Sequence, residues 1–400
     1  MNAICLSIDR LSAAHLGAYG NTYLDTPAFD RLAGESLVCE QALIESPMTD
    51  AALVAFWHGI HGARCTGGDA PTADVSLPAA LAQSGVQTIL LTDRPELLDH
   101  PLSAGFSQRL LFTSADDPPP EMPAEEIAET RLAGRMAELI ELVERLIHSW
   151  RLEHRRFFLW CDLTVFGTVW DAPMELRRLR LDEDDPPASD MTTPPQLALG
   201  PDVDPDELLP ITEAHAAQLL VLDACLGAML DALEDCGATA ESLLLLTAPR
   251  GMPLGEHGYV GPGSTALYQE LVQVPLMIRS NGQGDGVRSQ AIVQPCDVFT
   301  TLAARMGVAD RVTSSVTGRD LSILVEDDAA DWRDAAYLAA PDRRAVRTPL
   351  WLLLQSDRNE LYVKPDDRFE LNEVADRCPG EVAELRELLS KLAKEVRGDR

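Results

Sequence analysis

Short apolar runs alternate with longer amphipathic stretches along the first three quarters of the chain. The apolar runs have the length of strands and lie at residues 3–8, 88–91, 157–162, 242–247 and 274–279. Helical periodicity is clearest at residues 124–151 and 211–236, where Leu219, Leu222 and Leu226 share one face. Apolar runs without alternation are typical of strands buried on both faces. The pattern therefore predicts an α/β fold with a mostly parallel central sheet flanked by helices.

The pattern changes after residue 327. Short strand-like runs lie at residues 335–340, 343–348, 350–355 and 360–363, and a helical pattern closes the chain at residues 380–397. This order predicts an α/β domain at residues 1–327 and a smaller antiparallel α+β subdomain at residues 328–400. Within the first domain, residues 182–210 are crowded with Pro and Asp, a composition that buries too little apolar surface to order itself. We interpret this segment as a surface insertion.

The composition narrows the classes of partner. The 400 residues include 64 acidic and 33 basic side chains, which gives a net charge of −31, so nucleic acid and anionic membranes are poor partners. The longest apolar runs fall far short of the ~20 residues that span a bilayer, and the first residues lack the pattern of an export signal. Eight scattered cysteines show no zinc-site spacing. We expect reduced thiols and a cytoplasmic protein.

A series of short motifs in a fixed order resembles the sulfatase family of the alkaline phosphatase superfamily. The motifs begin with the segment from Ala3 to Asn21 and end with Glu360-Leu-Tyr362. Between them lie Ser46-Pro-Met-Thr49, Trp170-Asp-Ala-Pro173, Leu254-Gly-Glu-His-Gly258, Val274-Pro-Leu-Met-Ile278 and Gly318-Arg-Asp-Leu321. The resemblance implies the sulfatase fold. In active members it also implies a divalent cation held by carboxylates, a nucleophile at a helix N terminus, and cationic residues that hold the sulfate or phosphate.

The positions that match the family's metal ligands are mostly unsuitable for a cation. Asp9 matches the first ligand, but the adjacent position, often a second acid, is Arg10. The later ligand pair, an Asp followed by His or Asn, falls on Pro249 and Arg250. Proline has no ligand atom, and arginine keeps its positive charge at all ordinary pH values. We therefore expect no cofactor and regard Asp9 as a vestigial ligand that forms an ion pair with Arg250.

The nucleophile position of the family falls on Thr49. The Pro and Arg of the Cys-x-Pro-x-Arg motif, which precedes formylglycine formation, fall on Ala51 and Leu53, so formylglycine is not expected. The resemblance implies that threonine can act as nucleophile in phosphate and phosphonate hydrolases, where a metal activates its hydroxyl. Without the cation, we interpret Thr49 as the N-cap of the helix at residues 50–58.

The lysines of the family's active site also lack counterparts. The chain has only three lysines, and none precedes residue 364. Arg94 is the only cation near the position of the first catalytic lysine, and arginine is a poor proton donor. Neither lysine can therefore be present at its matching position.

Histidines provide the remaining candidates for chemistry. His257 matches the family's Gly-Glu-His-Gly turn, and it has either a catalytic role or a structural one as a turn residue bonded to the backbone. We expect His58 and His61 to act as cations that stabilise the C-terminal end of the helix after Thr49. His15 is expected to pack in the loop after the first strand.

Three functions remain open at this point. The first is a catalytically degenerate sulfatase with a binding or regulatory role, as a homo-oligomer or paired with an active relative. The second is a sulfuric or phosphoric ester hydrolase that uses Thr49, Asp50 and Asp9 with an atypical calcium or magnesium site. The third is a small-anion binder that uses Arg10, Arg250 and the free amides after Thr49.

Overall fold

The computed structural model describes residues 1–67, 75–112, 118–200, 202–281, 286–312, 318–326 and 332–398. The strands are β1 (Asn2–Asp9), β2 (Leu37–Ala42), β3 (Gln87–Thr92), β4 (Gln108–Leu111), β5 (Phe157–Thr164), β6 (Leu197–Ala198), β7 (Ser242–Thr247), β8 (Tyr259–Val260), β9 (Leu276–Arg279), β10 (Val287–Val293), β11 (Ala336–Ala340), β12 (Arg343–Arg347), β13 (Trp351–Gln355) and β14 (Asn359–Val363). The α-helices are α1 (Pro27–Gly34), α2 (Thr49–His58), α3 (Leu77–Gln83), α4 (Arg131–Leu152), α5 (Met174–Arg178), α6 (Pro205–Asp235), α7 (Gln269–Val272), α8 (Pro295–Arg305), α9 (Ile323–Glu326) and α10 (Pro379–Arg397).

The central sheet has eight strands in the order β10-β2-β9-β7-β1-β5-β3-β4. All neighbours pair in parallel except β9, which is antiparallel to both β2 and β7. The predicted α/β class is therefore confirmed. The strands β1, β5 and β7 in the middle are buried along almost their whole length, as their continuous apolar runs predict. The more polar strands β2, β4 and β10 were not predicted.

A second sheet contains the four strands β11 to β14 in an antiparallel meander. These strands and α10 lie within two residues of the predicted runs. Leu385 and Leu389 of α10 are buried in a cluster with Leu353 and Leu361 of the sheet, which covers one of its faces. The predicted boundary between residues 327 and 328 lies outside the described residues.

A buried arginine organises the Pro/Asp-rich segment at residues 182–210. Arg177 has no exposed surface. Its guanidinium donates to the carbonyl oxygens of Trp170, Ala172, Ser189 and Met191 at 2.5–2.9 Å. The segment lies mostly at the surface, but these bonds hold it, and its residues Met191, Leu199 and Leu208 pack against the core. Its last residues are helical, because α6 begins at Pro205, earlier than predicted.

The longest helix is a core element. By length and composition α6 could cross a membrane, but 67% of its most apolar window is buried inside the fold. It packs against α1, α4 and α5. The helix α4 begins at Arg131 rather than at residue 124, because the hydroxyl of Thr130 caps it by accepting from the amide of Ala133 at 3.1 Å.

Candidate functional site

The carboxyl ends of the central parallel strands bring charged side chains together at one edge of the sheet. Asp9 ends β1, Asp162 lies near the end of β5, and Asp93 directly follows β3. Arg250 lies in the loop after β7, the other neighbour of β1. Adjacent parallel strands end at the same edge, so residues far apart in the sequence meet there.

Asp9 is held between two guanidinium groups. Arg250 donates from Nε to Asp9 Oδ1 at 3.0 Å and from Nη2 to Oδ2 at 3.3 Å, so the predicted ion pair is present. Arg10 Nη1 also donates to Asp9 Oδ2. Burial would raise the pKa of Asp9, but the charges of Arg250 and Arg10 outweigh burial and lower it. Asp9 is therefore an ionised carboxylate whose acceptor atoms already have donors.

The backbone at Arg10 adopts a conformation that directs its side chain across the site. Its φ of 66° lies in the left-handed region, which is uncommon for a residue with a Cβ. A Cβ at Gly167 would collide with Arg10 Nη1. Gly167 therefore leaves the space in which this guanidinium lies, at the position where the family resemblance implies a histidine-containing motif.

A second pair adjoins the first. Arg94 Nε donates to Asp162 Oδ2 at 2.8 Å. Burial raises the pKa of Asp162, although Arg94 opposes it. Burial and the neighbouring Asp162 also raise the pKa of Asp93 to about 7, and Arg135 Nη1 lies 3.6 Å from Asp93 Oδ2. The roles of Asp162 and Asp93 were missed by the sequence analysis, although an acid at the end of a buried parallel strand is a usable signal.

This donor set does not fit a divalent cation. A hard cation needs several oxygen ligands that carry enough negative charge to replace its hydration shell. Here the guanidinium groups of Arg10, Arg94 and Arg250 are already paired with the carboxylates. Guanidinium hydrogens are directed at the oxygen atoms that would have to bind the ion. The arrangement is a network of ion pairs.

Thr49 is the first residue of α2 rather than its N-cap. Met48 occupies the N-cap position, and no side chain caps the helix there, so the predicted capping role of Thr49 is wrong. The preceding segment is near the charged cluster, because Arg250 Nη1 donates to the carbonyl oxygen of Pro47 at 3.4 Å. The structure thus brings the segment before Thr49 to Arg250 and Asp9, but gives the Thr49 hydroxyl no capping bond.

His257 is engaged in structural contacts. Its Nδ1 lies 2.8 Å from Glu270 Oε1, its Nε2 lies 3.1 Å from the carbonyl oxygen of Glu370, and its ring stacks on Tyr268. Burial would lower the pKa of His257, but the bond to Glu270 outweighs it and raises the pKa. His257, Glu270 and Glu370 place one potential ligand atom each within 4.8 Å of one another. Lys364 Nζ, however, lies 2.7 Å from Glu370 Oε1 and supplies a positive charge there.

His58, His61 and His15 are packing residues. The prediction that His58 and His61 are cations is wrong, because burial lowers the pKa of both. His58 Nε2 contacts the carbonyl oxygen of Leu102 at 3.2 Å. His15 packs as predicted, with its ring edge-on to His215 at a centroid distance of 4.8 Å. Burial lowers the pKa of His15 to about 4.

The sequence is similar to a known protein family and to two curated proteins. The family described as Sulfatase matches residues 1–97 and 171–308 of the chain. An N-acetylglucosamine-6-O-sulfatase of Bacteroides thetaiotaomicron is 28% identical over 199 residues, which cover 46% of this chain and 35% of the relative. The multifunctional alkaline phosphatase superfamily protein PehA of Trinickia caryophylli is 26% identical over 137 residues, which cover 34% and 26% of the two chains. The chain thus aligns with about a third or less of these curated relatives.

Similarity to solved structures extends over nearly the whole chain. The phosphonate monoester hydrolase of Agrobacterium radiobacter superposes with a TM-score of 0.76 and covers 99% of this chain and 96% of its own. The two sequences are 19% identical, so this likeness concerns the fold.

Proposed function

Since this chain belongs to the sulfatase family, we propose that it is a catalytically impaired member that has kept the fold for a binding or regulatory role. The observation that carries the proposal is the position of Arg250, which donates two hydrogen bonds to Asp9. A divalent cation bound to Asp9 would have to displace or lie beside this guanidinium. Two unit charges 4 Å apart repel by about 4 kcal/mol at an effective dielectric constant of 20, and a divalent ion doubles that figure.

Other residues support the same conclusion. Pro249 precedes Arg250 where the family resemblance implies an acidic ligand, and its ring offers no ligand atom. No lysine precedes Lys364 in the chain, and Lys364 itself is paired with Glu370. An ester hydrolase of this kind needs a metal-activated nucleophile and a proton donor for the leaving group. The positions that match the family's offer neither a fitting ligand set for the metal nor a lysine as proton donor.

Metal analysis combined with activity assays tests the proposal. The purified chain is incubated with calcium, magnesium or manganese, dialysed, and measured by elemental analysis. It is then assayed with an aryl sulfate, an aryl phosphate and an aryl phosphonate monoester. We expect no stoichiometric cation and no hydrolysis above the uncatalysed rate. About one cation per chain, together with hydrolysis that is lost in both Asp9→Asn and Thr49→Ala, would overturn the proposal.

A restoration variant makes the test sharper. Pro249→Asp combined with Arg250→Asn replaces the two unsuitable residues with the ligand pair that the resemblance implies. We expect this variant to gain a calcium-dependent rise in melting temperature that the parent lacks. The control is Arg250→Asn alone, which removes the guanidinium but adds no acid. A calcium-dependent rise in the melting temperature of the parent as large as that of the restored variant would show that Arg250 does not exclude the cation.

The hydrolase alternative keeps one supporting observation, the activity named for the curated and structural relatives. In that alternative Thr49 and Asp50 at the start of α2 act with Asp9, and calcium or magnesium enters only after Arg250 moves. The small-anion alternative relies on Arg10 and Arg250, but both guanidinium groups are already paired with Asp9. Both alternatives are therefore weaker than the degenerate one.

The proposal extends to location and partners. None of the eight cysteines, all of which lie among the described residues, forms a disulfide, which supports a reducing, cytoplasmic compartment. A regulatory member of an enzyme family would act through a second copy of itself or through an active relative, and the net charge of −31 disfavours nucleic acid and anionic membranes. Size-exclusion chromatography with light scattering tests the homo-oligomer directly.

A further inference from the structure

A cationic cavity is lined by residues of the loop after β1, of β2 and β10 in the central sheet, and of β12 and the segment after β14. Its volume is about 470 Å³, within the range of roughly 300–1,000 Å³ typical of small-molecule sites. Four basic side chains and one acid, Glu40, line it. The basic residues are Arg288, Arg347, Lys364 and Arg368. This excess of positive charge is unusual in a chain with 64 acidic and 33 basic residues.

Two of the four cations already have carboxylate partners. Lys364 Nζ lies 2.7 Å from Glu370 Oε1. Arg288 Nη1 lies 3.2 Å from Glu40 Oε1 and 2.7 Å from the carbonyl oxygen of Ala18. Glu40, the acid of the cavity, is therefore neutralised by its own neighbour. The remaining positive charge comes from Arg347 and Arg368.

Arg347 lacks a carboxylate partner in the part of the chain that the structure describes. Its Nη2 donates to the amide oxygen of Gln41 at 3.1 Å, and its Nη1 is buried without a hydrogen-bond partner among those residues. Burial lowers the pKa of Arg347 to about 10. The charge of Glu370 opposes this shift, but Glu370 is already paired with Lys364. Arg347 therefore lines the cavity without a carboxylate of its own among the described residues, and an anion in the cavity would supply one.

The remaining side chains that line the cavity indicate which chemical groups a ligand would carry. Arg368 donates from Nη2 to the carbonyl oxygen of Tyr19 at 2.9 Å. The amide side chains of Gln41, Gln269, Gln273 and Gln290 also line the cavity. Each already makes at least one hydrogen bond within the protein, and an amide has two N–H donors and an oxygen with two lone pairs, so each keeps capacity for another bond. Guanidinium groups match carboxylate, phosphate and sulfate oxygens, whereas amides donate to and accept from hydroxyl groups.

We propose that this cavity binds a small hydroxylated organic anion, with its carboxylate, phosphate or sulfate group on Arg347 and Arg368 and its hydroxyl groups on the glutamine amides. The cavity shares no residue with the cluster around Asp9 and Arg250. Anion binding in the cavity can therefore be tested independently of whether the protein hydrolyses esters.

Isothermal titration calorimetry on the full chain tests the proposal with glucose 6-phosphate and glucuronate as organic anions. Inorganic phosphate, inorganic sulfate and uncharged glucose serve as comparisons. We expect saturable binding of at least one organic anion with a Kd of about 1 mM or below, and no binding of glucose. The absence of heat from both organic anions, or inorganic anions that bind as tightly as they do, would overturn the proposal.

Three variants separate the site from general charge effects. Arg347→Gln removes the unpaired charge, and Gln41→Glu supplies an internal carboxylate to Arg347 without removing any arginine. Both should weaken anion binding by about tenfold or more, and the Gln41→Glu variant should keep or raise the melting temperature. Arg344→Gln, at an exposed arginine of the same strand outside the cavity, should bind as the parent does. Equal affinity in the parent, Arg347→Gln and Gln41→Glu would refute the site.

Discussion

Arg250 and Asp9 form a two-point ion pair between residues 241 positions apart in the sequence. Their distances of 3.0 and 3.3 Å identify two real hydrogen bonds. The same guanidinium reaches the carbonyl oxygen of Pro47 at 3.4 Å. It therefore links the end of β1, the loop after β7 and the segment before α2. The Arg250 guanidinium, which lies where the resemblance implies a metal cation, thus acts as a structural crosslink.

We predict that this pair contributes to folding stability. Arg250→Gln should lower the free energy of unfolding by about 2–4 kcal/mol, because Asp9 remains buried with only Arg10 as a partner. A double-mutant cycle with Asp9→Asn, measured by urea unfolding, should give a coupling energy of about 1–3 kcal/mol. Arg31→Gln, which breaks an exposed pair with Asp231, is the control and should cost below about 1 kcal/mol. A zero coupling energy would contradict the crosslink.

A second prediction concerns Thr49. Since Thr49 is the first helical residue and provides no cap, Thr49→Ala should change the free energy of unfolding by less than about 0.5 kcal/mol. The matched control is Thr130→Ala, which removes a true cap of α4 and should cost about 1 kcal/mol. Chemical denaturation measures both variants. A larger loss in the Thr49 variant than in the Thr130 variant would show that its hydroxyl has a partner in solution.

The buried pair His15 and His215 should contribute to acid sensitivity. Burial lowers the pKa of His15 to about 4, and burial also lowers that of His215. Above about pH 6.5 both states are neutral and the contribution is complete. As the pH falls from 6.5 to 4, only the unfolded state binds the proton, so stability is lost, by up to about 3 kcal/mol for His15 alone.

His15→Phe tests this pH dependence, because the substitution keeps an aromatic ring against His215 and removes the titration. Between pH 7 and pH 4 the variant should lose less stability than the parent, as followed by urea unfolding at each pH. His148→Gln, at an exposed histidine of α4, should lose as much as the parent. Identical pH profiles for His15→Phe and the parent would contradict a neutral, buried His15.

Arg177 should determine the order of the Pro/Asp-rich segment. Arg177→Lys keeps the charge, but a single ammonium group cannot reach all four carbonyl oxygens, so we expect a loss of about 3 kcal/mol. A protease that cleaves at Asp and Glu should then cut within residues 182–204 faster than in the parent. The exposed neighbour Arg178 provides the control variant Arg178→Lys. Equal cleavage rates in the Arg177 variant and the parent would show that the segment is ordered by other contacts.

The sequence predicted best those strands whose formation depends on their own residues rather than on their neighbours in the sheet. The strands β1, β5 and β7 are buried over nearly their full length. A strand that is buried on both faces needs apolar residues whichever strands become its neighbours, so these runs could be predicted from the sequence. The edge strand β10 was missed because three of its seven residues are polar and it pairs with β2 alone. Nothing in an isolated run of four residues tells the direction of β9, which depends on its neighbours in the sheet.

The features of the candidate site also divide into those that the sequence determines and those that depend on the tertiary structure. The sequence by itself determined that Pro249 and Arg250 stand where the resemblance implies a pair of metal ligands, and that no lysine precedes residue 364, because the identity of a residue at a position needs no structure. Only the tertiary structure decided that Arg250 meets Asp9 and that Arg94 meets Asp162. It also decided that Arg347 lines a cavity and has one buried nitrogen without a hydrogen-bond partner in the part of the chain that the structure describes. Such pairings depend on which strands become neighbours and on how far water is excluded, and both are properties of the packed sheet rather than of any segment.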